Sequence, residues 1–219
     1  MTTSTINVTG SDAFEFLQGQ LSNDLRRLED EPTLLSAWCN PKGRVICLTN
    51  LTRTSNGYSF AVPTELADGI IKRLTLFRFR AKVEFEIDAT TSESDAIGAI
   101  ISGIPIIGGA QSEKFTPHML NLDLVDAISL DKGCYTGQEI IARTHYKGAT
   151  KRRTLRFTST APVAVGDKIS DGSRDIGEVL NAVGNDLLAV VPVDKADNDL
   201  TVNGVHLTRQ SLPYQERGQ

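Results

Sequence analysis

Apolar and polar positions change period several times along this chain, and the changes mark its elements. From Ser11 to Leu21 the apolar residues Phe14, Leu17 and Leu21 fall near helical spacing. Asp12 followed three residues on by Glu15 has the form of a capping box, so a short amphipathic helix is predicted there. From Leu34 to Val62 the pattern turns to short apolar runs broken by Asn40-Pro41-Lys42-Gly43 and by Ser55-Asn56-Gly57. Asn-Gly is a strong hairpin signal, which predicts an antiparallel three-strand unit. Pro63-Thr64 then opens a run with Leu66, Ile70, Leu74 and Phe77 on one face, a second helix with Thr64 as its N-cap. Val83, Phe85 and Ile87 alternate as a strand. Thr90 to Gln111 carries only a weak pattern and reads as a variable connection.

Beyond Lys151 short apolar runs, Leu155 to Phe157, Ile176 to Leu180, Leu187 to Val191 and Val205 to Leu207, alternate with Gly, Asn and Asp. This spacing predicts a small antiparallel β-barrel. The fold class expected is α+β: an antiparallel sheet with helices over residues 1–150, shortened near 90–114, then a C-terminal barrel over 151–219.

Composition narrows the function classes. The chain has 219 residues and a formal charge of -4, so affinity for nucleic acid would have to rest on a local patch, and direct RNA binding is not expected. The basic, aromatic-containing run Thr144 to Arg153 is the one such patch, and for most of its residues the favoured reading is a solvated interdomain turn. No apolar run approaches the ~20 residues of a membrane span, and the first ten residues lack the order of a secretory signal; the expectation is a protein of a bacterial-type cytoplasm, without membrane contact. Three cysteines, Cys39, Cys47 and Cys134, without Cys-x-x-Cys, argue for reduced thiols rather than a disulfide framework or a self-contained cluster. His118, His145 and His206 show no metal-ligating spacing, so no metal site is expected.

The densest chemistry lies at Lys132-Gly133-Cys134-Tyr135-Thr136-Gly137-Gln138-Glu139. Thr136 and Glu139 have capping-box spacing, which would start a helix at Gly137 and set Cys134 just before free amide groups that favour an anion. With Lys132 beside it, the thiol is expected to be nucleophilic. The same amides and lysine would suit a ligand carboxylate or phosphate, and Gly133 and Gly137 would admit a flat ligand. The same residues also suit a small buried thiol in a tight turn, and spacing alone balances the two readings. Glu139 and Arg143 stand four apart and can pair on the exposed helix face, while Cys39 and Cys47 sit in core-like strands. Gln18, Gln20 and Asp24 around Gly19 could hold a polar heterocycle or cap a helix.

These residues resemble the YgfZ family, relatives of the glycine-cleavage T protein, whose signature reads Lys-Gly-Cys-Tyr-x-Gly-Gln-Glu. The Phe-Leu-Gln-Gly-Gln-Leu run at 16 to 21, Asn-Pro-Lys-Gly-Arg at 40 to 44, Phe115-Thr116-Pro117, Asn121-Leu122, Ala142-Arg143 and Leu212-Pro213-Tyr214 agree in order. The resemblance implies a T-protein-like fold that binds tetrahydrofolate, iron-sulfur client or assembly proteins as partners, and a role in maintaining iron-sulfur enzymes, including tRNA-methylthiolating ones. It carries the important cysteine onto Cys134, and ligand contacts onto Lys132, Gly133, Tyr135, Gly137, Gln138, Glu139, Arg143, Gln18, Gln20, Asp24, Lys42 and Arg44. The alternative it implies is a folate-dependent aminomethyl or one-carbon transferase. An accessory role is favoured, since one cysteine falls short of the roughly four thiolates a cluster ordinarily takes. The stretch between Ile87 and Phe115 is much shorter than in the family. This leaves three expectations for the cavity: more open, completed by a second copy in a homodimer, or no longer able to take folate.

Overall fold

The structure is a computed structural model that describes residues 1–148 and 150–214. In chain order its elements are β1 (Thr2–Thr9), α1 (Ala13–Gln20), β2 (Leu34–Cys39), β3 (Val45–Thr54), β4 (Gly57–Pro63), α2 (Thr64–Arg78), β5 (Glu84–Glu93), α3 (Ala96–Ser102), α4 (Gln138–Lys147), β6 (Arg152–Ser159), β7 (Lys168–Ser170), β8 (Asp175–Val183), β9 (Asp186–Pro192), β10 (Thr201–Val202) and β11 (Val205–Gln210). They form two compact units, between which the chain passes more than once: Met1–Ser94 with Ile107–Lys114 and Asp126–Ala142, and Asp95–Ile106 with Phe115–Val125 and Arg143–Gln219.

The first unit is built on a five-stranded antiparallel sheet in the order β2-β3-β4-β1-β5. β2, β3 and β4 form the meander expected from the sequence, with Thr54 opposite Gly57 across the Ser55-Asn56 turn. The alternation of β1, which buries Ile6 and Val8, gives the sheet one apolar face. Phe16 and Leu17 of α1 and Ile70 and Leu74 of α2 join the same core cluster. Phe77, one turn beyond Leu74, meets the indole of Trp38 edge-on at 6.4 Å.

Two caps differ from expectation. Asp12 stands at the N-cap of α1, but its carboxylate accepts from the Lys82 amide at 2.8 Å and from the Ser11 hydroxyl, with no bond to its own helix. α2 begins at Thr64 with Pro63 before it, and the Thr64 hydroxyl accepts instead from Ser4 Oγ at 2.9 Å. In both cases a long-range donor takes the oxygen that a local cap would have used.

The second unit is the expected barrel, closed in the order β10-β11-β6-β9-β8-β7, with β7 pairing back to β10. Leu155, Phe157, Ile169, Val179, Leu187, Ala189 and Val191 fill it. The weakly patterned stretch after Thr90 is not a plain connection: it completes β5 and forms α3, capped by Asp95, whose side chain accepts from the Gly98 amide at 2.8 Å, and ended by Gly103 in left-handed backbone. Gly98 and three β-branched isoleucines around it hide this helix from propensity. Among the described residues no helix is long and apolar enough to cross a membrane.

Candidate functional site

The Lys132–Gln138 segment is fixed to the first unit by polar contacts that begin upstream of it. Ser22 Oγ donates to the Ala127 carbonyl at 2.7 Å, and Asn23 Nδ2 donates to the carbonyls of Leu35 and Asp126 at 2.8 and 2.7 Å. Lys132 is buried, and its ammonium donates to the Leu21 and Asn23 carbonyls at 2.7 and 2.6 Å, with the Tyr135 ring 5.2 Å away. Burial brings its pKa down to about 7, only partly opposed by the charge of Asp24. The lysine expected to be a free cation beside the thiol is therefore a strut between two stretches of backbone.

Past Lys132 the loop turns outward and then back. Gly133 takes φ 94°, Cys134 is exposed, and Tyr135 is buried again. Gln138 straps the return: its Oε1 accepts from the Tyr135 amide at 3.2 Å and its Nε2 donates to the Leu130 carbonyl at 3.4 Å. The Thr136 hydroxyl reaches Gln20 Oε1 at 3.4 Å, and Trp38 Nε1 donates to the same oxygen at 3.3 Å. The expected Thr136 capping box does not form, because Gly137 at φ 84° interrupts the chain before α4 and the first helical residue is Gln138. A Cβ at Gly137 would lie 2.6 Å from the Asn40 carbonyl oxygen, so the position demands glycine on two counts.

The three thiols divide sharply. Cys39 and Cys47 are buried, and desolvation pushes both upward, Cys47 to about 12, which leaves them protonated and inert. Cys134 alone is open to solvent.

Beside this loop lies a cavity of about 330 Å³ lined by Trp38, Cys39, Asn40, Pro41, Ile46, Arg73, Phe77, Glu113 and Thr136. Two aromatic rings and an aliphatic side chain give it apolar walls, and the polar groups converge on Glu113. Asn40 Nδ2 donates to Glu113 Oε2 at 2.7 Å and Arg73 Nη1 reaches Oε1 at 2.6 Å. The Asn40 bond first, and Arg73 after it, hold the Glu113 carboxyl below its ordinary pKa. The Tyr135 hydroxyl is buried without a hydrogen-bond partner, and burial, with the Cys39 thiol next to it, raises its pKa. Sequence reading missed Arg73 and Glu113 because nothing local marks them; Glu113 in left-handed backbone is the one trace of constraint.

Of the remaining candidates from the sequence, Gln18, Asp24 and Arg44 are bonded within the fold, and Lys42, Glu139 and Arg143 are exposed. Gln18 Nε2 donates to Asp24 Oδ1 and its Oε1 accepts from the Leu25 amide, both at 2.9 Å. Arg26 forks onto Asp24 and holds that carboxyl well below the usual range. Arg44 donates to the Lys114 carbonyl at 2.7 Å, while Lys42 is exposed. Glu139 and Arg143 are both exposed, and among the described residues no ion pair joins them; a pair worth a few tenths of a kcal/mol does not hold two long side chains together.

In the second unit, Arg153 of the basic run is fully engaged, forking onto Asp123 at 2.6 and 3.0 Å and donating to the His118 carbonyl at 3.0 Å. Where spacing gave no ligand set, the fold brings His118, Asp123 and His145 together, their ligating atoms all within 4.8 Å of one another. His206 lies apart from them, beside Asp199 at 3.1 Å.

Comparison with known proteins agrees with this fold. The family model described as the CAF17 C-terminal beta-barrel domain matches residues 151–213, the barrel of the second unit. The chain is 29% identical to an uncharacterized protein of Haemophilus influenzae, covering 95% of this chain and 94% of that one. It is 24% identical to the tRNA-modifying protein YgfZ of Klebsiella pneumoniae and 25% identical to that of an Escherichia coli O157:H7 strain, in each case over 94% of this chain and 89% of the relative. Among solved structures, the glycine cleavage system aminomethyltransferase T from Bartonella henselae superposes with a TM-score of 0.78 at 15% identity, over 96% of this chain and 83% of that one, and so shares its fold. The chain is thus similar to the YgfZ proteins, shares the fold of the glycine-cleavage T protein, and carries a β-barrel that matches the CAF17 C-terminal domain.

Proposed function

We propose that this protein is a folate-binding accessory factor that supports the assembly or maintenance of iron-sulfur enzymes, tRNA-methylthiolating enzymes among them, with Cys134 as its reactive group. The observation that carries the proposal is the division of the thiols: two are sealed in the core, and the third is presented to solvent on a loop that Lys132, Gln20 and Gln138 hold in place. An exposed thiol on a fixed loop suits a transient ligand or redox group toward a partner protein, since a single thiolate cannot hold a cluster alone. The names of the tRNA-modifying relatives support the direction of this reading.

The residues present suit a folate. The cavity is at the lower end of the roughly 300–1,000 Å³ typical of small-molecule sites. Trp38 and Phe77 would give a flat heterocycle an apolar wall, and the ionised Glu113, paired with Arg73, would accept from its N–H groups. When bound, the folate supplies a one-carbon carrier. The alignments to the relatives run to 264 and 291 positions against a chain of 219, so those proteins carry residues without a counterpart here. The gap read from the sequence between Ile87 and Phe115 leaves a shallower cavity or one that a second copy closes.

Calorimetric titration of the reduced protein with tetrahydrofolate tests the binding half. Saturable binding that weakens at least tenfold in Glu113→Ala supports this cavity as the site. The absence of binding at any attainable concentration excludes a folate role. A one-carbon transferase is the second reading, favoured only by the shared fold, and aminomethyl transfer activity with a lipoyl carrier would establish it in place of the accessory role.

A further inference from the structure

Among the described residues outside the Cys134 loop, a cluster of polar side chains around His118 is left without an explanation by packing. His118 sits in a short helical turn, His118–Leu120, with 2% of its surface exposed, yet neither ring nitrogen has a hydrogen-bond partner. A buried imidazole left in this state forfeits on the order of 1–3 kcal/mol, and such a group in a folded protein calls for an explanation. Within 4.8 Å of one of those nitrogens lie a carboxylate oxygen of Asp123 and a ring nitrogen of His145, on α4, whose ring centroid lies 5.8 Å from that of His118.

We propose that His118, Asp123 and His145 form a binding site for a divalent first-row transition metal, with zinc the best fit to two imidazoles and one carboxylate. The donor set is of the kind that zinc and other first-row ions take, and three protein ligands leave at least one coordination position open. A tetrahedral ion with bonds of about 2.0–2.1 Å needs its ligand atoms roughly 3.3–3.5 Å apart. The present set, within 4.8 Å, needs a small closing movement. The exposed His145 on α4 is the ligand that would make it, while the other two ligands are held.

Their rigidity comes from the polar network beneath them. Arg153 forks onto Asp123 and also donates to the His118 carbonyl, so one guanidinium fixes both ligand-bearing turns. Thr154 Oγ1 donates to the Met119 carbonyl at 2.9 Å, and Asn121, in left-handed backbone, donates to the Thr154 carbonyl at 2.7 Å. These bonds seat the 118–123 segment on β6. Arg153 neutralises part of the carboxylate's charge, which lowers the affinity for a cation. It does not block ligation, since a carboxylate offers about four lone-pair positions and the fork uses two. Outer-shell donors of this sort orient metal-binding carboxylates. Burial, opposed by Asp123 and reinforced by Arg153 and His145, lowers the His118 pKa and keeps the ring in the neutral form that a metal needs.

The test uses the full-length protein stripped with a chelator and titrated with Zn²⁺ by calorimetry, with Co²⁺ as a spectroscopic probe of coordination. The expected result is one equivalent of Zn²⁺ bound, visible Co²⁺ bands of a low-coordinate N/O site, and a loss of affinity of at least tenfold in His145→Ala, whose exposed position keeps the fold intact. Asp123→Asn is expected to weaken binding as well, while Cys134→Ser and His206→Ala leave it unchanged. The proposal is overturned if the native protein binds no stoichiometric Zn²⁺, if His145→Ala binds as tightly as the native chain, or if the bound ion is lost with Cys134 or His206 instead.

Discussion

Lys132 and His118 are both buried polar side chains, one in each compact unit, and they are treated in opposite ways. Lys132 has a backbone carbonyl at 2.7 Å and another at 2.6 Å, so its ammonium is a structural tie whose removal leaves two acceptors stranded. His118 has no partner for either nitrogen, so its removal strands nothing. Burial alone therefore does not sort structural from functional residues. What a buried donor or acceptor touches does, because desolvating a polar group is costly only to the extent that it is left uncompensated.

The comparison can be broken most directly at its satisfied end. Lys132→Met is expected to lower unfolding stability by about 2–4 kcal/mol, measured by chemical denaturation, because the Leu21 and Asn23 carbonyls lose their donor inside the fold. The same lysine carries a pH signature. Its folded pKa of about 7 lies below the unfolded value of about 10.4, so between those values the unfolded chain binds more protons than the folded one. Between about pH 7 and about 8.5, before the cysteines of the unfolded chain ionise, stability is then expected to rise with pH, with a slope of at most about 1.4 kcal/mol per unit, and that rise is expected to be absent in Lys132→Met. A slope that persists in the variant would assign it to another group.

Next in size is the backbone of the same loop. Gly137→Ala should cost about 1–3 kcal/mol, since it adds a Cβ 2.6 Å from the Asn40 carbonyl oxygen at φ 84°. Differential scanning calorimetry would detect it as a lowered Tm.

At the unsatisfied end, His118→Leu is expected to leave the stability of the metal-free protein unchanged or to raise it by up to about 1–3 kcal/mol, as no hydrogen bond is lost and an unpaired ring is removed. A cost of several kcal/mol in the same denaturation experiment would reveal a structural partner for the ring and remove the contrast with Lys132.

The sequence was legible where the signal is local. The β2–β4 meander followed from Asn56-Gly57 and the breaks around it, and the barrel from evenly spaced apolar runs. The Lys132–Glu139 segment stood out because its residue types are adjacent in the chain. What could not be read were choices made by distant partners. Asp12 and Thr64 have the right identities for caps, but Lys82 and Ser4 reach them first. Lys132 looked like a free cation because the carbonyls that hold it belong to Leu21 and Asn23. The cavity's Arg73 and Glu113 come from α2 and from a segment joined to it only by the fold. The His118, Asp123 and His145 set is gathered from separate turns and a helix, with no spacing to betray it.

The central claim is that the exposed thiol is the working group of this protein. It is tested most directly by asking whether Cys134→Ser restores iron-sulfur enzyme activity in cells that lack the protein. The account predicts a variant that is made in normal amounts, keeps the native Tm because the side chain is exposed, and fails to restore the activity. Full restoration by a stable Cys134→Ser protein would contradict it.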